Sequence, residues 1–215
     1  MEQNIENYID IYCERLEPGL WAEPLNAITN ASFFIAAIMA ALYAHRAERL
    51  DVKSGILIIL LCCIGTGSTL FHTFATKATM LSDVLPILFY QIAFIWLYAL
   101  YVMRLPVIKV VGLFFVFMMA SAGAEQIPTS VMNGSLSYAP AFLFLLGFGV
   151  WHVKTQTKER YLLMVAALTF SVSLTFRSID MAVCDVFEIG THFMWHILNG
   201  CVLYLTTRSF INVER

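Results

Sequence analysis

The sequence predicts an all-α integral membrane protein of seven transmembrane helices, with its N-terminus outside and its C-terminus inside. Three observations predict it. Of 215 residues, 60% are hydrophobic and only 13% charged, and the mean hydropathy is +0.75, whereas a soluble domain is roughly half apolar and about a quarter charged. Apolar runs long enough to cross a bilayer recur along the whole chain. The basic residues that separate them gather in alternate breaks.

The first 28 residues are polar and aromatic, unlike the basic stretch and short apolar core of a cleaved signal peptide. They are expected to stay as an outward-facing N-terminal segment. The first apolar run spans Asn30 to Ala44 and ends in a break from Arg46 to Lys53. The second, Gly55 to Phe74, and the third, Met80 to Val102, are parted by Thr76 to Thr79. Arg104 to Pro106 separates the third from a fourth at Val107 to Ala122, and Glu125 to Gly134 separates that from a fifth at Leu136 to His152. The sixth, Tyr161 to Phe176, follows Lys154 to Arg160, and the seventh, Glu188 to Thr207, follows Arg177 to Asp185. A spanning helix needs roughly 20 largely apolar residues, so 215 residues hold seven with short connections and form a single membrane domain, 1–215.

Orientation follows from charge. With the N-terminus outside, Arg46, Arg49, Lys53, Arg104, Lys109, Lys154, Lys158, Arg160, Arg208 and Arg215 fall inside, ten of the thirteen basic residues. Only Arg15, Lys77 and Arg177 remain outside, as the positive-inside rule expects. The net charge of −2 and the absence of a basic patch give no nucleic-acid footprint.

At the outer level this topology gathers His72 from the second span, Asp83 from the third, and His192 and His196 from the seventh. A charged residue at a helix centre costs about 2.5 to 3.5 kcal/mol, so ionisable groups at membrane depth usually mark a site. His192 and His196 are four apart and share one helix face, as a metal bound by two imidazoles of one helix requires. His72 is the candidate third ligand, with Ser68 one turn before it. Three neutral imidazoles leave tetrahedral Zn²⁺ one position for water, whose pKa zinc can lower to about 7. The other readings are interhelical hydrogen bonding for the histidine pair, helix-to-helix bonding for Ser68, and a helix N-cap for Asp83. Gly65 and Gly67 read as close helix contacts, and Cys62 and Cys63 as small filler.

These motifs resemble the alkaline ceramidase family within the CREST group of membrane hydrolases. The resemblance rests on Tyr12-Cys13-Glu14 followed by Trp21-Ala22-Glu23-Pro24-Leu25-Asn26, on Gly67-Ser68-Thr69-Leu70-Phe71-His72 with Asp83 beyond, and on His192-Phe193-Met194-Trp195-His196. It implies zinc on His72, His192 and His196, with Ser68 and Asp83 assisting hydrolysis of the amide of ceramide or a related lipid to a fatty acid and a long-chain amine. It also implies calcium on Glu14, Glu23 and Asn26, although Ile11 stands where the family pattern has an acid and Asp10 lies one position away.

On this topology Cys13 and Cys184 are both outside, where an oxidising compartment permits a disulfide. Arg177, Asp180, Asp185 and Glu188 read as a charged outer patch, either a solvated loop or a headgroup contact. The expected partners are the membrane and a ceramide-like lipid, and the expected location is a bacterial inner membrane, or else the endoplasmic reticulum or Golgi. The competing function is a metal-containing seven-helix receptor or channel without hydrolase activity; a retinal protein is a poor fit because the seventh span lacks a lysine.

Overall fold

The computed structural model describes residues 8–212; the start of the N-terminal segment and Arg215 of the C-terminal tail lie outside them. The described residues are all-helical apart from one isolated bridge between Tyr8 and Thr76. The helices are α1 (Pro24–Thr29), α2 (Ala31–Arg46), α3 (Val52–Phe74), α4 (Lys77–Leu97), α5 (Val107–Ala124), α6 (Ala139–Thr155), α7 (Leu162–Ile179) and α8 (His192–Asn212). The first two join as one stretch, Pro24–Arg46. A π-helical turn, Tyr98–Val102, prolongs α4, and a 3₁₀ turn, Met132–Tyr138, leads into α6.

Six of these stretches among the described residues are long and apolar enough to cross a membrane. The seventh expected run corresponds to α8, which has the length but not the composition, since it carries His192, His196, Asn199, Arg208 and Asn212. Packing explains its polarity. Helix α8 lies against α2 and α7 and also reaches α3 and α4, so much of its surface, Trp195, Asn199, Thr206 and Thr207 included, is buried. A helix shielded by its neighbours need not be apolar on every side.

The α3–α4 hairpin sets the register of the site. Helix α3 starts with a capping box between Asp51 and Ser54 and ends at Ala75, whose φ of 46° is left-handed and turns the chain back. Thr76 then caps α4 in a reciprocal pair with Thr79. Such caps contribute about 1 kcal/mol each. Asp83 therefore lies inside α4, and the N-cap reading of that residue gives way to Thr76.

The two helices meet backbone to backbone. A Cβ placed on Gly67 would come within 1.8 Å of the Ser82 carbonyl oxygen. Pro86, four residues after Ser82, has no N–H to offer that carbonyl. Gly65 gives α2 a similar approach, since a Cβ there would meet the Phe34 ring at 2.8 Å. Both glycines thus act as helix contacts, whereas Cys63 is exposed and fills no core space.

Candidate metal centre

His72 stands on the last turns of α3, and His192 and His196 on the first two turns of α8. All three are buried. Their ring centroids are 5.3 Å apart for His72 and His192, and 4.7 Å apart for each of the other two pairs. Each ring offers one nitrogen, and the three nitrogens lie within 4.8 Å of one another, so the group could hold a metal ion.

The rings are oriented from behind. His72 Nδ1 meets Glu23 Oε2 at 2.5 Å, and His196 Nδ1 meets the Thr29 hydroxyl at 3.0 Å. His72 Nε2 and His192 Nδ1 are buried without a hydrogen-bond partner. A buried polar atom left unpaired costs about 1–3 kcal/mol; a metal would satisfy it. A carboxylate behind a ligating histidine fixes its tautomer and raises its basicity.

Ser68, one turn before His72, and Asp83 of α4 interact through their side chains. The backbone contact at Gly67 brings this pair together. The polar layer is thus built from α3, α4 and α8, with α1 and its preceding segment supplying Glu23 and Thr29.

The N-terminal segment closes one end. Tyr12 stacks on His192, with centroids 3.7 Å apart and an angle of 22° between the rings. Cys13 and Cys184 are joined as a disulfide, with Cα atoms 5.5 Å apart. Asp180 accepts hydrogen bonds from the backbone N–H groups of Cys13, Thr191 and His192 at 3.1, 2.6 and 2.9 Å. It caps α8 and anchors the segment, and it is fully buried, so it does not belong to a solvated outer patch.

Arg15, which the sequence marks only as an outer basic residue, is buried beside the site. Its guanidinium pairs with Glu23 and donates to the His72 carbonyl at 2.9 Å, the Gly19 carbonyl at 3.3 Å and the Tyr8 hydroxyl at 3.4 Å. Burial alone would push the Glu23 carboxyl up, but its bonds to His72 and Arg15 outweigh burial and hold it below the usual range. Glu14 accepts the N–H groups of Leu25 at 2.6 Å and Asn26 at 2.9 Å. Burial raises its pKa despite those bonds. Asn26 donates to Glu23 at 3.0 Å, and its Oδ1 is unpartnered. The residues expected to bind calcium are thus brought together, but Glu14 serves as a cap and Glu23 as a support for His72.

An apolar pocket within the bundle approaches the histidines at Phe33, whose ring lies 6.1 Å from that of His196, and at Trp195, the chain neighbour of His196. Ile64, Tyr138, Phe94 and Phe148 also line it.

The family model described as Ceramidase matches residues 12–214, nearly the whole chain. The chain belongs to the ceramidase family. No individual curated protein matches it. The matched stretch contains the three histidines, Ser68, Asp83 and Glu23, and ceramidase membership supports a lipid amidohydrolase acting at a membrane.

The support layer left faint signals in the sequence. A lone arginine beside acidic and aromatic residues, and an aspartate shortly before HxxxH, are charges that need partners once buried. Which partners they take is a matter of tertiary contact.

Proposed function

We propose that this ceramidase-family protein is a zinc-dependent intramembrane lipid amidohydrolase. On this reading it cleaves the amide of ceramide or a related lipid to a fatty acid and a long-chain amine. The observation that carries the proposal is the convergence of three buried imidazoles, those of His72 and His192 with unpaired nitrogens, beside an interacting Ser68–Asp83 pair. We further propose that the chain is one membrane domain with α8 as its seventh span, N-terminus outside, and that a bacterial inner membrane suits it best.

His72, His192 and His196 would hold the zinc, which when bound supplies a Lewis acid and a water made nucleophilic near neutral pH. Asp83 accepts the proton of the attacking water and returns it to the departing amine. The Ser68 hydroxyl donates to the carbonyl oxygen as it gains charge. Glu23 fixes the His72 tautomer, while Tyr12 excludes water from the face it covers. The apolar pocket takes the lipid chain.

Calcium fits the N-terminal segment poorly. A Ca²⁺ site needs 6–8 oxygen ligands, whereas the carboxylates of Glu14 and Glu23 are engaged by protein donors and Arg15 is the cation among them. We assign no calcium to it.

The test is metal analysis of purified wild-type protein together with hydrolysis of a panel of lipid amides and esters. Stoichiometric zinc and fatty-acid release, both lost in His196→Ala, are expected. Absence of metal defeats the mechanism at its first step, and zinc without release of fatty acid from any lipid favours a receptor or channel.

A further inference from the structure

A cation at the pocket rim is absent from the hydrolytic scheme. Arg177, near the end of α7, is half-buried, and its guanidinium lies 5.3 Å from the Tyr138 ring centroid and 5.7 Å from that of Trp195. Those two rings line the apolar pocket, and Trp195 immediately precedes His196. The charge of Arg177 is felt at both Asp83 and His192.

Its hydrogen bonds leave donors over. Nη1 donates to the Asn133 carbonyl at 2.5 Å and to the Ser135 hydroxyl at 3.2 Å, while Asn133 Nδ2 donates to the Arg177 carbonyl at 3.1 Å. The head is therefore held in one place, with Nε and Nη2 given no hydrogen-bond acceptor among the described residues. No carboxylate lies within ion-pair distance of it among the described residues, in contrast to Arg15 on Glu23 and Arg208 on Glu159. A guanidinium with an edge free suits a carboxylate, phosphate or sulfonate.

We propose that Arg177 is a headgroup receptor that selects amide lipids whose amine part carries an acidic group. The proposal rests on the hydrolase reading and narrows its substrate class. With the alkyl chain in the pocket and the amide carbon at the histidines, an acidic group on the long-chain amine, close to its nitrogen, would meet the free edge of Arg177; N-lauroylglycine presents that group without the second chain.

Binding and turnover of N-lauroylglycine and of N-lauroylethanolamine, which share a chain and an amide, test this in wild type and in Arg177→Gln and Arg177→Lys. Wild type is expected to bind N-lauroylglycine about tenfold or more tightly, and to cleave it with the higher kcat/KM. The preference should weaken at high salt, fall to about one in Arg177→Gln and recover in part in Arg177→Lys. Equal binding of the two amides by wild type, or an unchanged preference in Arg177→Gln, overturns the assignment. Laurate bound as tightly as N-lauroylglycine, and as sensitive to Arg177→Gln, also overturns it by making the cation a fatty-acid product site. Selective binding without cleavage of either amide leaves Arg177 as an anion site and defeats the hydrolase reading instead.

Discussion

The bundle buries a histidine at each end, and the two differ in what surrounds them. His72 and His152 each engage Nδ1 at 2.5 Å, with Glu23 and with the Tyr98 hydroxyl respectively, and each buries an Nε2 that has no partner. By burial and hydrogen bonding alone the pair is indistinguishable. Around His72 two more imidazoles converge and a carboxylate stands behind the ring. At the other end the nearby carboxylate, Glu159, is spent on Arg208 and Asn212, and a phenol in place of a carboxylate meets His152 Nδ1. An orphaned nitrogen marks a polar interior; a set of converging nitrogens marks a metal site.

The largest effect should come from setting one histidine against the other. His196→Ala is expected to lose bound metal and hydrolysis together, whereas His152→Phe keeps metal near wild-type stoichiometry. Elemental analysis of both variants decides the matter, and metal loss from His152→Phe would place a ligand at the wrong end. Next come the residues beside the metal. Asp83→Asn should retain metal and lose about 10²–10⁴ in kcat, and Ser68→Ala about 10²–10³. If either loses metal in parallel with rate, its role is support of the ligand set and not chemistry.

A smaller effect tests the supports. Glu23→Gln should weaken metal affinity about 10–100-fold, measured by chelator competition, while Tyr98→Phe at the other end leaves it unchanged. Equal affinities in the two variants would erase the difference between a carboxylate-backed and a phenol-backed imidazole.

The parts legible in the sequence were those with a local signature. Apolar runs located the helices, and the four-residue spacing of His192 and His196 put both rings on one face before any tertiary contact was known. Helix α8 was legible by its position in the order of runs and by its histidines, although its composition falls short of a lipid-facing span, because burial among α2, α3, α4 and α7 relaxes the need for apolar residues. The family resemblance groups Glu23 with calcium ligands. Its ion pairs with His72 and Arg15 are fixed only when the N-terminal segment folds over the bundle. Asp180 failed as a surface charge for the same reason, since its three N–H donors come from two distant stretches.

The smallest effect concerns pH and separates two carboxylates of one segment. The folded pKa of Glu23 lies below its ordinary value of 4.5, so folding favours the ionised form. Its stabilisation is complete above that ordinary value and lost as pH falls through the folded one. Glu14 has the opposite sign: its folded pKa is raised from 4.5 by burial, so its contribution is complete below that value and lost as pH rises through the folded one. Thermal melts in detergent between about pH 3.5 and 7 should therefore show a flatter acid limb for Glu23→Gln than for wild type. Glu14→Gln should instead remove a decline just above pH 4.5. Both substitutions delete one carboxylate from the same buried segment, so a nonspecific loss of packing would shift the two curves alike. Divergence of the limbs is the signature of Glu23 held ionised by His72 and Arg15 while Glu14 favours its proton.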